Sequence, residues 1–167
     1  MVGRRGAGDE AFAALYRADW TRVRAAAERV VGSRAIAEEL AQEAFTRAYD
    51  RWAKVSRHPA PTAWLLRVVT NLAIDAVRRK RVQPARDEVT SHEDAAIASV
   101  LVRDGLTVLS DKQREAVVLR YLAGCEESEI AAAMGVSGGS VKTHLARGMA
   151  RLRAAMGAEL GVEGAPS

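Results

Sequence analysis

The stretch EIAAAMGVSGGSVKTHLARG, residues 129–148, restricts the fold more than any other part of the chain. A short helix pattern with Ile130 and Met134 four apart runs into Gly135. Glycine takes the left-handed conformation of a tight turn without steric cost. Val136 then serves as an apolar plug, and Ser137 is placed to cap a second helix. In that helix Val141 and Leu145 face inward, so Lys142, Thr143 and Arg147 face away. Gly138 and Gly139 fall in its first turn and let it start close to a neighbouring helix or a phosphate. The layout is a helix-turn-helix, and a basic outer face on its second helix is what major-groove reading needs. From Ser137 to Arg153 the charged residues are Lys142, Arg147, Arg151 and Arg153, with no acid among them. The simpler reading of that face is a solvated side of a helical bundle.

The rest of the chain also follows the helical period. Asp9 is placed to cap a helix from Glu10 to about Val31, with Phe12, Leu15, Tyr16, Val23 and Val30 as its stripe. Gly32 ends it and Ser33 can cap the next, AIAEELAQEAFTRAYDRWAKV. There Ile36, Leu40, Ala44, Phe45, Ala48 and Trp52 form the apolar face, while Glu38, Glu39, Gln42, Glu43 and Asp50 occupy the others. After SRHPAPT, a third helix with Pro61 in its first turn runs to Val82, its buried stripe being Leu65, Val68, Val69, Leu72 and Ala76. It ends in RRKR. Arg67, Arg78, Arg79, Lys80, Arg81 and Arg86 face one acid, Asp75, across that segment. Asn71, Asp75 and Arg78 share a helical face there, and asparagine and arginine can both contact bases. A charged helix end matched to the macrodipole explains the same basic run.

Residues 83–95, QPARDEVTSHEDA, hold four acids, a proline and almost no large apolar side chain. They read as a flexible acidic linker. Four helical segments follow: about 95–108; DKQREAVVLRYLAG, capped by Ser110 and stopped at Gly124; EESEIAAAMG; and one from after Ser137 to about Met156. The expected architecture is all-α: one helical domain over 9–82, the linker 83–95, a second over 96–156, and a tail over 157–167.

Composition bounds the function. Hydrophobic residues are 49% and aromatics 5%, with alanine prominent and no strand pattern, which favours helix. A net charge of +4 and a pI of about 9.6 allow a nucleic-acid partner, whose footprint then depends on where the charge lies. Cys125 is the only cysteine, so no disulfide can close within the chain, and it reads as a small packing residue. His58, His92 and His144 lack ligand spacing, so neither metal nor cofactor is expected. No phosphate loop, zinc-protease helix or nucleophile elbow occurs, and the chain reads as a non-enzyme. No apolar run approaches the roughly 18–20 residues of a membrane span. The expected location is therefore cytoplasmic, without membrane insertion.

Three segments together resemble the extracytoplasmic-function subgroup of the sigma-70 family, the small two-domain bacterial transcription initiation factors, and its actinobacterial sigma-E branch most of all. AEELAQEAFTRAYDRW resembles region 2.1–2.2, TAWLLRVVTNLAIDAVRRKR resembles region 2.3–2.4, and LSDKQREAVVLRYLAGCEESEIAAAMGVSGGSVKTHLARGMARLR resembles region 4. The resemblance implies an RNA polymerase sigma factor that directs core enzyme to promoters. It assigns Glu39, Gln42, Glu43 and Phe45 to docking on the β′ clamp helices, with region 4 meeting the β flap. Ser56, Arg57 and His58 fall in a loop that captures a flipped −10 base, Asn71 reads the −10 element, and Arg67 and Arg78 hold its backbone. Lys142, Thr143, Ala146 and Arg147 face the −35 major groove, with Ser140 and His144 near phosphates. Promoter DNA and core polymerase are the implied partners, and an anti-sigma factor is a common further one. The linker matches the segment that threads towards the polymerase active site.

Four positions depart from the family pattern. Leu66 stands where an aromatic is frequent, Ser110-Asp111 where proline is usual, and Glu126 where Ser or Thr caps, so that helix is expected to start raggedly. Ala146 offers only a methyl contact. The residues alone leave two rivals. One is a regulator using only the helix-turn-helix, and the other is a helical adaptor with no DNA role. The acidic block and the Asn71 helix argue against the first, because a sensor domain needs neither.

Overall fold

The computed structural model describes residues 2–82 and 104–159, which form helices and no strand. The N-terminal unit contains α1 (Val2–Val31), α2 (Arg34–Asp50), the single turn α3 (Trp52–Val55) and α4 (Pro61–Val82). The C-terminal unit begins with a helical turn at 104–107. It continues with α5 (Asp111–Val117), which passes into a π-helical segment (Val118–Leu122), then α6 (Glu127–Met134) and α7 (Gly138–Glu159). The linker residues and most of the first C-terminal segment expected over 95–108 lie outside the described residues. No helix among the described residues is long and apolar enough to cross a membrane.

Helix α1 starts earlier than the Asp9 cap would have it. Asp9 lies inside the helix and accepts a hydrogen bond from the Tyr49 hydroxyl at 3.1 Å. The early glycines do not stop the helix, and Gly8 lies beside the Trp52 ring, where a Cβ would make ordinary contact at 3.7 Å. Gly32 (φ +71°) ends α1, and the Ser33 side chain accepts from the Ile36 N–H to cap α2. The expected continuous helix to Val55 breaks at Arg51 (φ −112°, ψ 20°), which turns Trp52 into the aromatic cluster.

The buried face of α2 is Ala37, Ala41, Ala44, Phe45 and Ala48: the last three lie in the expected stripe, whereas in the first turns Ala37 and Ala41 are innermost, Leu40 is half-buried and Ile36 is exposed. Alanine at every crossing point lets α2 lie close to α1 and α4, and Phe45 fills the remaining space. It meets Tyr16 at 4.7 Å, with Trp20 and Phe12 about it. In α4 the innermost side chains are Leu65, Leu66, Val69 and Ala73, flanked by Val68 and Leu72. Thr62 donates to Asp19 at 2.6 Å and ties the start of α4 to α1.

The C-terminal unit is built on caps. Ser110 and Gln113 form a reciprocal capping box at the start of α5. Glu126 starts α6 without raggedness: its N–H donates to the Glu129 carboxylate at 2.7 Å, and its own carboxylate pairs with Arg120 at 3.1 Å. Gly135 (φ +65°) makes the left-handed turn, Val136 packs on the core, and the Ser140 N–H donates to Ser137 Oγ at 3.1 Å. Val141 and Leu145 are buried. Gly148 lets α7 cross α5, since a Cβ there would come within 2.9 Å of Val117.

One unexpected polar residue organises this unit. Arg114, 7% exposed, donates to the carbonyls of Leu106 and Leu109 and pairs with Asp111. It pins the turn at 104–107 to α5. Burying a guanidinium is tolerable only when its donors are occupied in this way.

Candidate nucleic-acid interface

Two helices carry the polar faces singled out in the sequence, and the fold treats them differently. On α7, Lys142, Thr143, Ala146 and Arg147 are all exposed, on the side opposite Val141 and Leu145. Thr143 donates back to the Gly139 carbonyl at 3.0 Å, which leaves its oxygen lone pairs and methyl outward. Ser140 Oγ lies 3.0 Å from Ser137 Oγ, and His144 is half-buried beside the exposed row. The Lys142 ammonium reaches only 4.0 Å from the Glu127 carboxylate, an exposed pair worth little.

On α4 the corresponding groups are engaged. Arg67 Nε donates to Glu115 Oε1 at 2.9 Å, and Asn71 Nδ2 donates to the same oxygen at 2.9 Å. Arg78 lies 3.7 Å from Asp111. Asn71, Asp75 and Arg78 line one side of a cleft of about 410 Å³, and Asp111, Lys112, Arg114 and Glu115 line the other. Glu115 is only 12% exposed, and its second oxygen accepts no hydrogen bond, with Lys112 3.7 Å away.

Further along the same seam, the π segment ends in carbonyls that lack helical partners. Arg29 donates to that of Leu122 at 2.6 Å, and Arg22 to those of Ala123 and Gly124 at 3.3 Å each. Cys125 is buried beside these groups, and burial pushes its thiol pKa up to about 11. It is a packing residue.

The docking candidates divide. Glu39, Gln42 and Glu43 are exposed on α2, with Glu43 paired to Arg47 at 2.7 Å. Phe45 is not on that face. It is 2% exposed inside the aromatic cluster, because apolar periodicity places it with the alanines, and it supports the face from behind. In the loop after α3, Ser56 and Arg57 are exposed, and His58 Nδ1 accepts from the Ala60 N–H at 3.0 Å. Ala53, Lys54, Arg57, His58 and Pro59 surround an open hollow of about 540 Å³, large enough for a base. Leu66 is fully buried, so this position faces the core and offers no stacking surface.

The sequence reading missed Glu115, Asp111, Arg22 and Arg29, all of which act between units. Arg114 was visible in principle. It sits on the side of α5 that buries Val117 and Val118, where a charge requires internal partners.

Residues 15–82 match the family described as Sigma-70 region 2, and residues 99–152 match Sigma-70, region 4. The chain is 36% identical over 137 residues to the RNA polymerase sigma-E factor of Streptomyces coelicolor, spanning 76% of this chain and 75% of that protein. It is 32% identical over 145 residues to the ECF RNA polymerase sigma factor SigW of Bacillus subtilis, spanning 75% and 78%. Its fold is similar to that of CnrH solved with the cytosolic domain of CnrY, at a TM-score of 0.58, 22% identity and 90% coverage of each chain. It is also similar to the sigma factor RpoE solved with the anti-sigma factor NepR from Bartonella quintana, at 0.56, 23% identity and coverage of 86% and 95%.

Proposed function

The chain belongs to the extracytoplasmic-function group of the sigma-70 family, and on that premise we propose how its residues share the work of an RNA polymerase sigma factor. It directs core RNA polymerase to promoter DNA. The acidic face of α2, with Glu39, Gln42 and Glu43, docks on the β′ clamp helices, and the C-terminal unit meets the β flap. Lys142, Thr143, Ala146 and Arg147 read the −35 major groove, with Ser140 and His144 towards phosphates. Asn71 reads the −10 element, Arg67 and Arg78 hold its backbone, and the loop of Ser56, Arg57 and His58 receives a base turned out of the stack. The work is non-enzymatic and cytoplasmic.

The observation that carries this reading is the exposed row on α7: polar and basic side chains at groove-reading positions over a buried Val141–Leu145 seam. Each unit alone binds DNA weakly, through phosphates above all. Held together on polymerase, the second contact becomes intramolecular, so two weak readers select one pair of spaced elements. An unpaired base loses its stacking, and a pocket that receives it favours the melted state.

The test is transcription by purified chain and core polymerase on fragmented genomic DNA, followed by sequencing of the 5′ ends. The expected result is a set of starts that share two spaced elements and vanish without the chain. Starts unchanged by the chain would overturn the reading in favour of a regulator or an adaptor.

A further inference from the structure

We propose that the C-terminal unit shuts the −10 surface of this chain in the absence of polymerase, with Glu115 as the clasp that takes the place of DNA. The inference rests on the −10 role given above to Asn71 and Arg67. Arg67 through Nε and Asn71 through one amide N–H each donate to the same oxygen of Glu115, at 2.9 Å. A carboxylate oxygen and a phosphate oxygen make the same demand on a guanidinium, a charged acceptor of strong hydrogen bonds. One of the two amide N–H groups of Asn71 is occupied in the same way.

The rest of the seam follows the same chemistry. Arg78 faces Asp111. Arg29 holds the carbonyl of Leu122 at the negative end of the π segment, and Arg22 those of Ala123 and Gly124 just past it. Donors on α1 and α4 are therefore matched to acceptors on the C-terminal unit, and on α4 these acceptors stand where the −10 role would put DNA. The row on α7 is left open, so closure blocks one reader and spares the other.

Glu115 is well suited to be broken. It is mostly buried, and one of its oxygens accepts no hydrogen bond in the closed state. That oxygen has only the Lys112 ammonium, 3.7 Å away, so part of its desolvation is weakly compensated, which limits the stability of closure. A competing partner that draws the units apart returns the carboxylate to water and frees Arg67 and Asn71 together.

The experiment compares the full chain with Glu115→Arg, Glu115→Gln and the charge exchange Arg67→Glu/Glu115→Arg. Circular dichroism checks folding. Small-angle scattering reads compactness, and anisotropy of a fluorescein-labelled random single strand reads DNA binding. Glu115→Arg should enlarge the radius of gyration. It should also strengthen single-strand binding by about tenfold if one chain in ten is open beforehand, since apparent affinity scales with the competent fraction. Glu115→Gln should shift both in the same direction by less. The exchange should restore compactness and abolish the gain in binding, because the chain closes again and Arg67 is gone.

An unchanged radius of gyration in both Glu115 variants would overturn the clasp. So would an opened chain whose single-strand affinity stays at the original value. The −10 reading is tested separately by adding Asn71→Ala to Glu115→Arg and using strands that carry the transcribed −10 element. If opening strengthens binding but Asn71→Ala changes nothing, closure stands and the role of Asn71 falls.

Discussion

Helices α4 and α7 have the same length and opposite accessibility. Each buries one apolar face and presents a polar one. On α7 the polar face meets solvent, because its buried side is satisfied by α5 and α6 within its own unit. On α4 the polar face meets the other unit, and Arg67 and Asn71 are tied to Glu115. The difference teaches that a surface suited to DNA is also suited to a carboxylate. Which of the two occupies it is decided by what else the chain folds against it.

The strongest test of the comparison removes the scaffold on one side of the seam. Arg114→Ala leaves the carbonyls of Leu106 and Leu109 without their charged donor inside the protein. Two such bonds and the lost packing amount to about 3–5 kcal/mol. The expected outcome is early melting of the C-terminal unit in chemical denaturation, with the α7 reader and the clasp lost together. Retention of both would show that the two units do not depend on α5 in the way described.

The two readers should then separate by substitution. Arg147→Ala should weaken binding to duplex −35 DNA by about 1–3 kcal/mol if the contact is bidentate, and should relax base preference there. Asn71→Ala should leave that duplex affinity unchanged while impairing −10-directed transcription with core polymerase, and core binding should persist. Electrophoretic titration of both variants on the same promoter fragments checks the pair. A loss of duplex −35 affinity in Asn71→Ala would remove the distinction.

Smaller effects sharpen it. Lys142→Ala should weaken duplex −35 binding and relax base preference in the same titration, by less than Arg147→Ala, because an ammonium makes no bidentate contact. Cys125, at the inner edge of the seam, should resist alkylation by iodoacetamide at neutral pH, because its thiol stays protonated and covered. The folded pKa is raised to about 11 from 9.0. The thiol's contribution to stability is thus fully present below about 9 and is lost as pH rises towards 11. A stability profile flat across that window would contradict the burial of this group.

Much of the candidate site is legible in the sequence. Gly135, Ser137, Val141 and Leu145 are local signals: a turn, a cap and a helical stripe act over a few residues, and their spacing sets the outward row on α7. Asn71 and Arg78 were placed on one face of α4 for the same reason. Other features misled. Asp9 has the chemistry of a cap, but it lies inside α1 and its carboxylate accepts from the Tyr49 hydroxyl of α2 instead. Phe45 sits within an acidic block yet belongs to the core, since adjacent residues on a helix are about 100° apart.

What the sequence determined by itself was the helical architecture, the turn and caps of the helix-turn-helix, and the chemical character of each polar face. All of these depend on residues near one another in the chain. What only the tertiary structure decided was the state of those faces. Arg67 meets Glu115 across 48 positions, and Arg22 meets the carbonyls of Ala123 and Gly124 across 101 and 102. No periodicity or cap encodes such a pairing. It arises because two folded units with opposite partial charges on their facing surfaces find a common seam, and that seam covers the polar face of α4 and leaves that of α7 open.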